Sequence, residues 1–371
     1  MATKFIPRDK FPIPSCIPHT YFSGHHASAI DKIKKLLPTI SLVLECRDFR
    51  IPLSTHNPHL EELTHGHRRI VVYTKCELGR DNVHAKQMLR RLRHAPAKSG
   101  FGMHGVSFWD SKGLKSTDAL IRKVRDVGRE MGEDASPLGM RVLLVGMPNV
   151  GKSTLLNRLR VAGNSDLGVN ERNRQVRKTA KAARTGDEAG VTRKVSTPVR
   201  FSDTTTADID GGKKTTGGRG AYVIDTPGIF MPYVEDGETM IKIALTNGIK
   251  KGLIPDDILA DYLLYRINLL KKPHIYRRYC DPTNDVDAFL SAVARREGKL
   301  KAGGGPDHME AAALVVSRWR NGDFGRFVLD ELSHEAVDDY QRRLLRPAVS
   351  LSRRRRLAKM GEGGVEVEVE P

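Results

Sequence analysis

A doubly wound α/β domain with a mostly parallel sheet, followed by a small α-helical domain, is the fold class this sequence predicts. Three observations carry the prediction. Short runs rich in Val, Ile and Leu alternate with helical patterns through the N-terminal half, as strands buried on both faces of a parallel sheet do. One run, Arg141–Val145, leads through Gly146–Thr154, GMPNVGKST, into the helical Thr154–Leu159, the strand–loop–helix setting of a P-loop. Past about Tyr233 no convincing strand pattern recurs, and helical periodicity takes over.

In chain order, residues 27–37 have helical periodicity with basic residues on the outer face. Ile40–Leu44 reads as a buried strand running into CRDFRIPLS, and Arg69–Tyr73 as a second ending in Thr74–Leu78. Helical patterns at about 81–93 and 116–131 flank a short strand near His104–Phe108. After the P-loop helix, Arg172–Arg184 is basic with no acid and reads as a solvated insertion. Val195–Phe201 and Ala221–Ile224 read as strands joined by the Thr-, Gly- and Lys-rich loop 202–220. Four helices follow, at Ile258–Leu270, Val286–Glu297, His308–Trp319 and His334–Leu345. The expected divisions are an N-terminal extension at 1–20, an α/β domain at 21–235, a helical domain at 236–350 and a disordered tail at 351–371. That tail opens on the basic Ser352–Lys359 and ends on alternating Val and Glu.

The 371 residues suffice for two domains, and 62 Lys and Arg against 44 Asp and Glu leave a formal charge of +18. Such a balance suits a phosphate-rich partner, either nucleic acid or an anionic membrane. No uninterrupted apolar run approaches the roughly 18 residues of a spanning helix, so an integral membrane protein is excluded. Cys16, Cys46, Cys76 and Cys280 lie far apart without metal-ligand spacing, the pattern of a reducing compartment. The proline-rich start MATKFIPRDKFPIPSCIP has no secretory core and resists a transit helix. His56, His59, His65 and His67 lie in a polar stretch without helix-face spacing, which favours a solvated loop over a metal site.

The P-loop defines a chemistry. Backbone N–H groups of Asn149, Val150 and Gly151 and of the following helix turn cradle anionic phosphates. Lys152 reaches the β- and γ-phosphates, Ser153 ligates magnesium, and Thr154 completes the pattern. Asp225-Thr-Pro-Gly228 follows a strand directly, where Asp225 holds the magnesium shell and the Gly228 N–H meets the γ-phosphate. Thr192, in AGVT between those motifs, is placed to bind magnesium while a γ-phosphate is present and to release its loop afterwards. Thr74-Lys-Cys-Glu77 resembles the Asn-Lys-x-Asp motif with which GTPases read guanine: Glu77 would accept from the base while the Lys75 stem packs on it. Ser107-Phe108 is the candidate loop behind the base. GTP and magnesium are the expected ligands.

Both Thr74–Glu77 and Ser107 precede Gly146, the reverse of the ordinary order. With Phe22–His25, Arg47–Pro52, Gly146–Thr154, Ala189–Thr192, Asp225–Ile229, Pro306–Glu310 and Gly322–Gly325, the chain resembles the circularly permuted P-loop GTPases of ribosome assembly over roughly residues 21–330. That family spans bacterial ribosome biogenesis GTPases and mitochondrial ribosome-associated ones. The resemblance implies GTP hydrolysis in assembly of the large ribosomal subunit, with a basic helical domain on ribosomal RNA. It further implies a mitochondrial protein on the matrix side of the inner membrane, with possible peripheral membrane association. Ile229 stands where many GTPases carry a water-orienting Gln, and the family's N-terminal His, matched by His25, is implicated in hydrolysis. Asn149 matches an Asn that helps hold potassium beside the phosphates in such GTPases. The family usually has Asn and Asp at Thr74 and Glu77, a small residue at Phe108, and Pro at Ala189 and Ser23. Two other readings stay open on the residues alone: a metabolic P-loop NTPase, and a membrane-surface scaffold using Ser352–Lys359.

Overall fold

The computed structural model describes residues 5–21, 24–92, 103–131, 139–165, 195–203, 220–231, 233–234 and 236–345. Thr192, the basic insertion, most of the loop after Phe201 and the tail from 346 onward lie outside them. In order come α1 (Gly24–Leu36), β1 (Leu42–Asp48), α2 (Pro58–Leu63), β2 (Arg69–Thr74), α3 (Ala85–Arg91), β3 (Met103–Phe108) and α4 (Leu114–Met131). Then follow β4 (Met140–Gly146), α5 (Lys152–Ser165), β5 (Val199–Asp203) and β6 (Gly220–Asp225). The remaining helices are α6 (Gly237–Leu245), α7 (Asp256–Leu269), α8 (Val286–Arg296), α9 (His308–Asn321) and α10 (His334–Leu345).

The six strands form one sheet in the order β3-β2-β1-β4-β6-β5, parallel except for the β5–β6 pair. β1 and β4 sit centrally, and their alternate residues enter different cores. Leu42, Leu44 and Cys46 face one cluster with Val142 and Leu144, while Val43, Leu143 and Val145 face α1 with Ala29 and Ile33. Burial on both faces explains why these runs are apolar throughout. The expected strand at 40–44 begins later and continues through the charged Glu45, Arg47 and Asp48, all buried. Charge there is tolerated because each is paired: Arg47 Nε donates to Glu45 at 2.6 Å and Arg50 to Asp48 at 2.8 Å.

The helices after Tyr233 share the main apolar cluster with the sheet, Met240, Ile241 and Tyr262 belonging to the same core as Leu44 and Val223. α7 is buried nearly all round, so α8 and α9 wrap it. α10 sits elsewhere: Val337 and Tyr340 pack with Val71, Tyr73 and Met88 of the α/β part, and Arg47 donates to the Tyr340 hydroxyl at 3.0 Å. Its apolar stripe foretells a buried face but not which neighbour it meets. The preceding segment is bound to the α/β part too, Leu329 N–H donating to Arg50 O at 2.7 Å and Asp330 accepting from Leu53 and Ser54. The N-terminal stretch is likewise engaged. Arg8 pairs with Asp261 on α7, Phe11 meets Tyr262 edge-on at 5.2 Å, and His19 and Val234 exchange two hydrogen bonds.

One expectation fails outright. The stretch at His56–His59 is not a solvated loop: Asn57 caps α2 by accepting from the His59 N–H, with Pro58 at its first turn. His56 is buried and bonded to Glu61 at 2.7 Å.

Candidate GTP site

The carboxyl ends of β4, β6, β1, β2 and β3 converge on the P-loop. Gly146 has φ 144° and Gly151 φ 95°, conformations that favour glycine. A side chain at Gly146 would also meet Cys46 O at 2.4 Å. Lys152, buried, donates from Nζ to Met147 O at 2.8 Å and Gly146 O at 3.2 Å, so its charge lies over the loop. Burial pushes its pKa down, with Asp225 opposing.

Ser153 Oγ, in the first turn of α5, donates to Asp225 Oδ2 at 2.5 Å. The strand pairing of β4 with β6 brings these two together across the intervening chain. Asp225 is fully buried and its Oδ1 has no hydrogen-bond partner. Burial raises its pKa, against the pull of Lys152 and Ser153. A hard-oxygen pair with an unsatisfied buried carboxylate oxygen fits magnesium, which when bound would neutralise phosphate charge beside Lys152. Gly228 lies on the P-loop, where an added Cβ would fall 2.5 Å from Pro148 Cα. The segment is pinned by Thr226 Oγ1 to Leu144 O, Ile229 N–H to Gly146 O, and Asn57 to Ile229 O.

At the other end, β2 delivers Thr74–Glu77. Thr74 is fully buried, with its hydroxyl at the Val150 carbonyl, so it ties this loop to the P-loop. Lys75 takes a left-handed conformation, φ 56°, and its Nζ donates to Asn149 O at 2.6 Å and pairs with Asp48 at 3.0 Å. Burial lowers its pKa while Asp48 resists. Glu77 accepts from the Ser111 hydroxyl at 2.6 Å through Oε1, and its Oε2 is buried without a partner. That is an acceptor poised for an N–H donor such as guanine presents.

Other expected residues fall differently. Ser107 lies within β3, buried and paired in register with Val72, and Phe108 stacks on Tyr73 at 5.6 Å. The loop that meets Glu77 starts one residue later, at Trp109–Gly113, shaped by Asp110 accepting from the Lys112 N–H at 2.7 Å. Asn149 has φ 57° and turns its amide to Asn247 O at 2.8 Å. His25 stands in the first turn of α1; its side chain and all of Thr192 lie outside the described residues. Sequence reading missed Ser111, whose signal is the Asp-x-x-Gly turn straight after a strand. It also missed Asp48 as a partner of Lys75, signalled by charges ending an apolar run.

A family model described as 50S ribosome-binding GTPase matches residues 141–259, starting at β4. Mitochondrial GTPase 1 of Schizosaccharomyces japonicus is 32% identical over 336 residues, covering 88% of this chain and 93% of that protein. Mitochondrial ribosome-associated GTPase 1 of Mus musculus is 28% identical, covering 87% and 93%. Ribosome biogenesis GTPase A of Bacillus cereus is 28% identical, covering 87% and 97%. The chain spans nearly the full length of these relatives, and its base-reading loop precedes its P-loop while both meet in one sheet. It therefore belongs to the Mitochondrial GTPase 1 family of circularly permuted GTPases.

Proposed function

We propose that this GTPase is a mitochondrial assembly factor that docks on the large ribosomal subunit and changes its grip with the state of its nucleotide. The observation that carries this reading is the direct bond from P-loop Asn149 to Asn247 at the end of α6, which joins the helical part to the phosphate loop. The names of these relatives support a ribosomal partner and a mitochondrial compartment, and the charge of +18 suits RNA phosphates. In this reading Lys152 and the P-loop amides hold the phosphates, Ser153 and Asp225 hold magnesium, with Thr192 joining them, and Glu77 reads guanine. Asn149 would hold a potassium ion that supplies positive charge, His25 would orient the attacking water, and the protein works at the matrix face of the inner membrane.

Co-sedimentation with mitochondrial large subunits tests it. Binding is expected with a non-hydrolysable GTP analogue, to weaken with GDP, and to fall steeply as salt rises. Nucleotide-independent, salt-indifferent binding would overturn it. Deleting residues 236–371 is no clean control, because those helices share the core of the sheet.

A further inference from the structure

Asp48 closes β1 deep in the molecule, 1% exposed, and its carboxylate serves two cations from different parts of the chain. Oδ2 lies 3.0 Å from Lys75 Nζ and 2.8 Å from one Arg50 nitrogen, and Oδ1 accepts from Arg50 Nε at 3.0 Å. Burial alone would raise this carboxyl, but Arg50 and Lys75 hold it well below the ordinary value, so it stays charged.

From Arg50 the contacts run into the helical part. Its guanidinium lies 4.9 Å from the Trp319 ring centroid on α9 and donates to Arg320 O at 3.4 Å. Arg320 in turn donates to Leu245 O at 2.9 Å and Ala244 O at 3.0 Å, holding the end of α6. Two residues on, Asn247 O accepts from Asn149, and Asn149 O accepts from Lys75. The path is a closed ring: Lys75, Asp48, Arg50, α9, the α6 end, Asn149, Lys75. It touches the nucleotide site at the base and at the phosphates and nowhere leaves bonded contact.

We propose that Asp48 is a positioning residue of the GTP site, holding Lys75 and the α9 anchor Arg50 on one carboxylate, so that nucleotide binding and the seating of α9 form one equilibrium. This rests on Lys75 touching the nucleotide. Coupling of this kind is reciprocal: whatever seats α9 more firmly tightens nucleotide binding, and the reverse.

Trp319 supplies the reporter, since the chain has only 2 tryptophans and the other is Trp109. In the full-length Trp109→Phe protein, GDP is titrated while Trp319 emission and GDP affinity are read together. The emission is expected to shift as the site fills. Asp48→Asn should abolish the shift and weaken GDP by at least about fivefold, the low end of typical coupling. Arg50→Lys, which keeps a cation beside Asp48, should abolish the shift with a smaller loss of affinity; it decides alone if Asp48→Asn fails to fold. A lowered Tm with wild-type affinity and shift, in either variant, means packing only and overturns the proposal. Lys75→Ala separates the layers: unchanged GDP affinity there overturns the base reading and the proposal together. An impaired Lys75→Ala beside a wild-type Asp48→Asn overturns the proposal alone.

Discussion

The Ser111 hydroxyl donates to Glu77 Oε1 at 2.6 Å, and the other oxygen of that carboxylate is buried and unpaired. Ser111 follows β3 and Glu77 follows β2, so the pairing of those strands sets the carboxylate's angle. Ser111→Ala should weaken GTP by about fivefold, the worth of roughly one net hydrogen bond of about 1 kcal/mol. Glu77→Ala should weaken GTP more, without a matching loss for inosine triphosphate, which lacks the 2-amino group. Titration calorimetry with both nucleotides reads this; parallel losses would remove Glu77 from base recognition.

At the phosphate end, Lys152→Ala removes a buried charge and should weaken GTP by about ten- to 150-fold, as lost charge-assisted bonds do. Ser153→Ala should instead erase the gain in affinity that magnesium gives. Fluorescent-nucleotide binding with and without magnesium distinguishes the two. Wild-type values in both variants would sink the P-loop assignment.

Gly228→Ala places a methyl carbon against Pro148 backbone atoms at about 2.5 Å, which no rotamer can relieve. The segment after Asp225 should then fail to close on the P-loop. Single-turnover hydrolysis is expected to drop while GDP affinity holds; an unchanged rate would show that the closure seen here is not used.

His25→Ala should leave GTP affinity intact and reduce ribosome-stimulated turnover. Stimulated rates measured in potassium buffer with subunits present check this, and a wild-type rate would exclude the imidazole.

Buried His56 is held below the ordinary histidine pKa, chiefly by burial and then by Arg47, with Glu61 opposing. A depressed folded-state pKa means that the unfolded chain takes the proton first. His56 therefore contributes stability above the unfolded value near 6.5 that is lost as pH falls through it. Melting curves from pH 7.5 to 5 should fall less steeply in His56→Gln than in the wild type, with parallel slopes as the contrary result.

Much of this was written locally. Val, Ile and Leu runs marked β2 and β4 because strands buried on both faces cannot alternate in polarity. The P-loop and Asp225–Gly228 were legible since their backbone demands glycine and their chemistry demands Lys, Ser and Asp in sequence. The order of motifs declared the permutation, and strand adjacency rebuilt the site from it.

Partnership was not written there. The charges that end the β1 run mark Asp48 as needing a partner without saying that it will be Lys75, and His56 in a polar stretch looks solvated until α2 and Tyr340 close over it. Periodicity told that α10 has an apolar face, yet Val71, Tyr73 and Met88 of the α/β part receive it rather than α7, α8 or α9. A residue's type and spacing fix what it can bond to and which side it buries. Only the close packing of distant segments decides which partner arrives, because every buried charge must find one to offset its lost hydration.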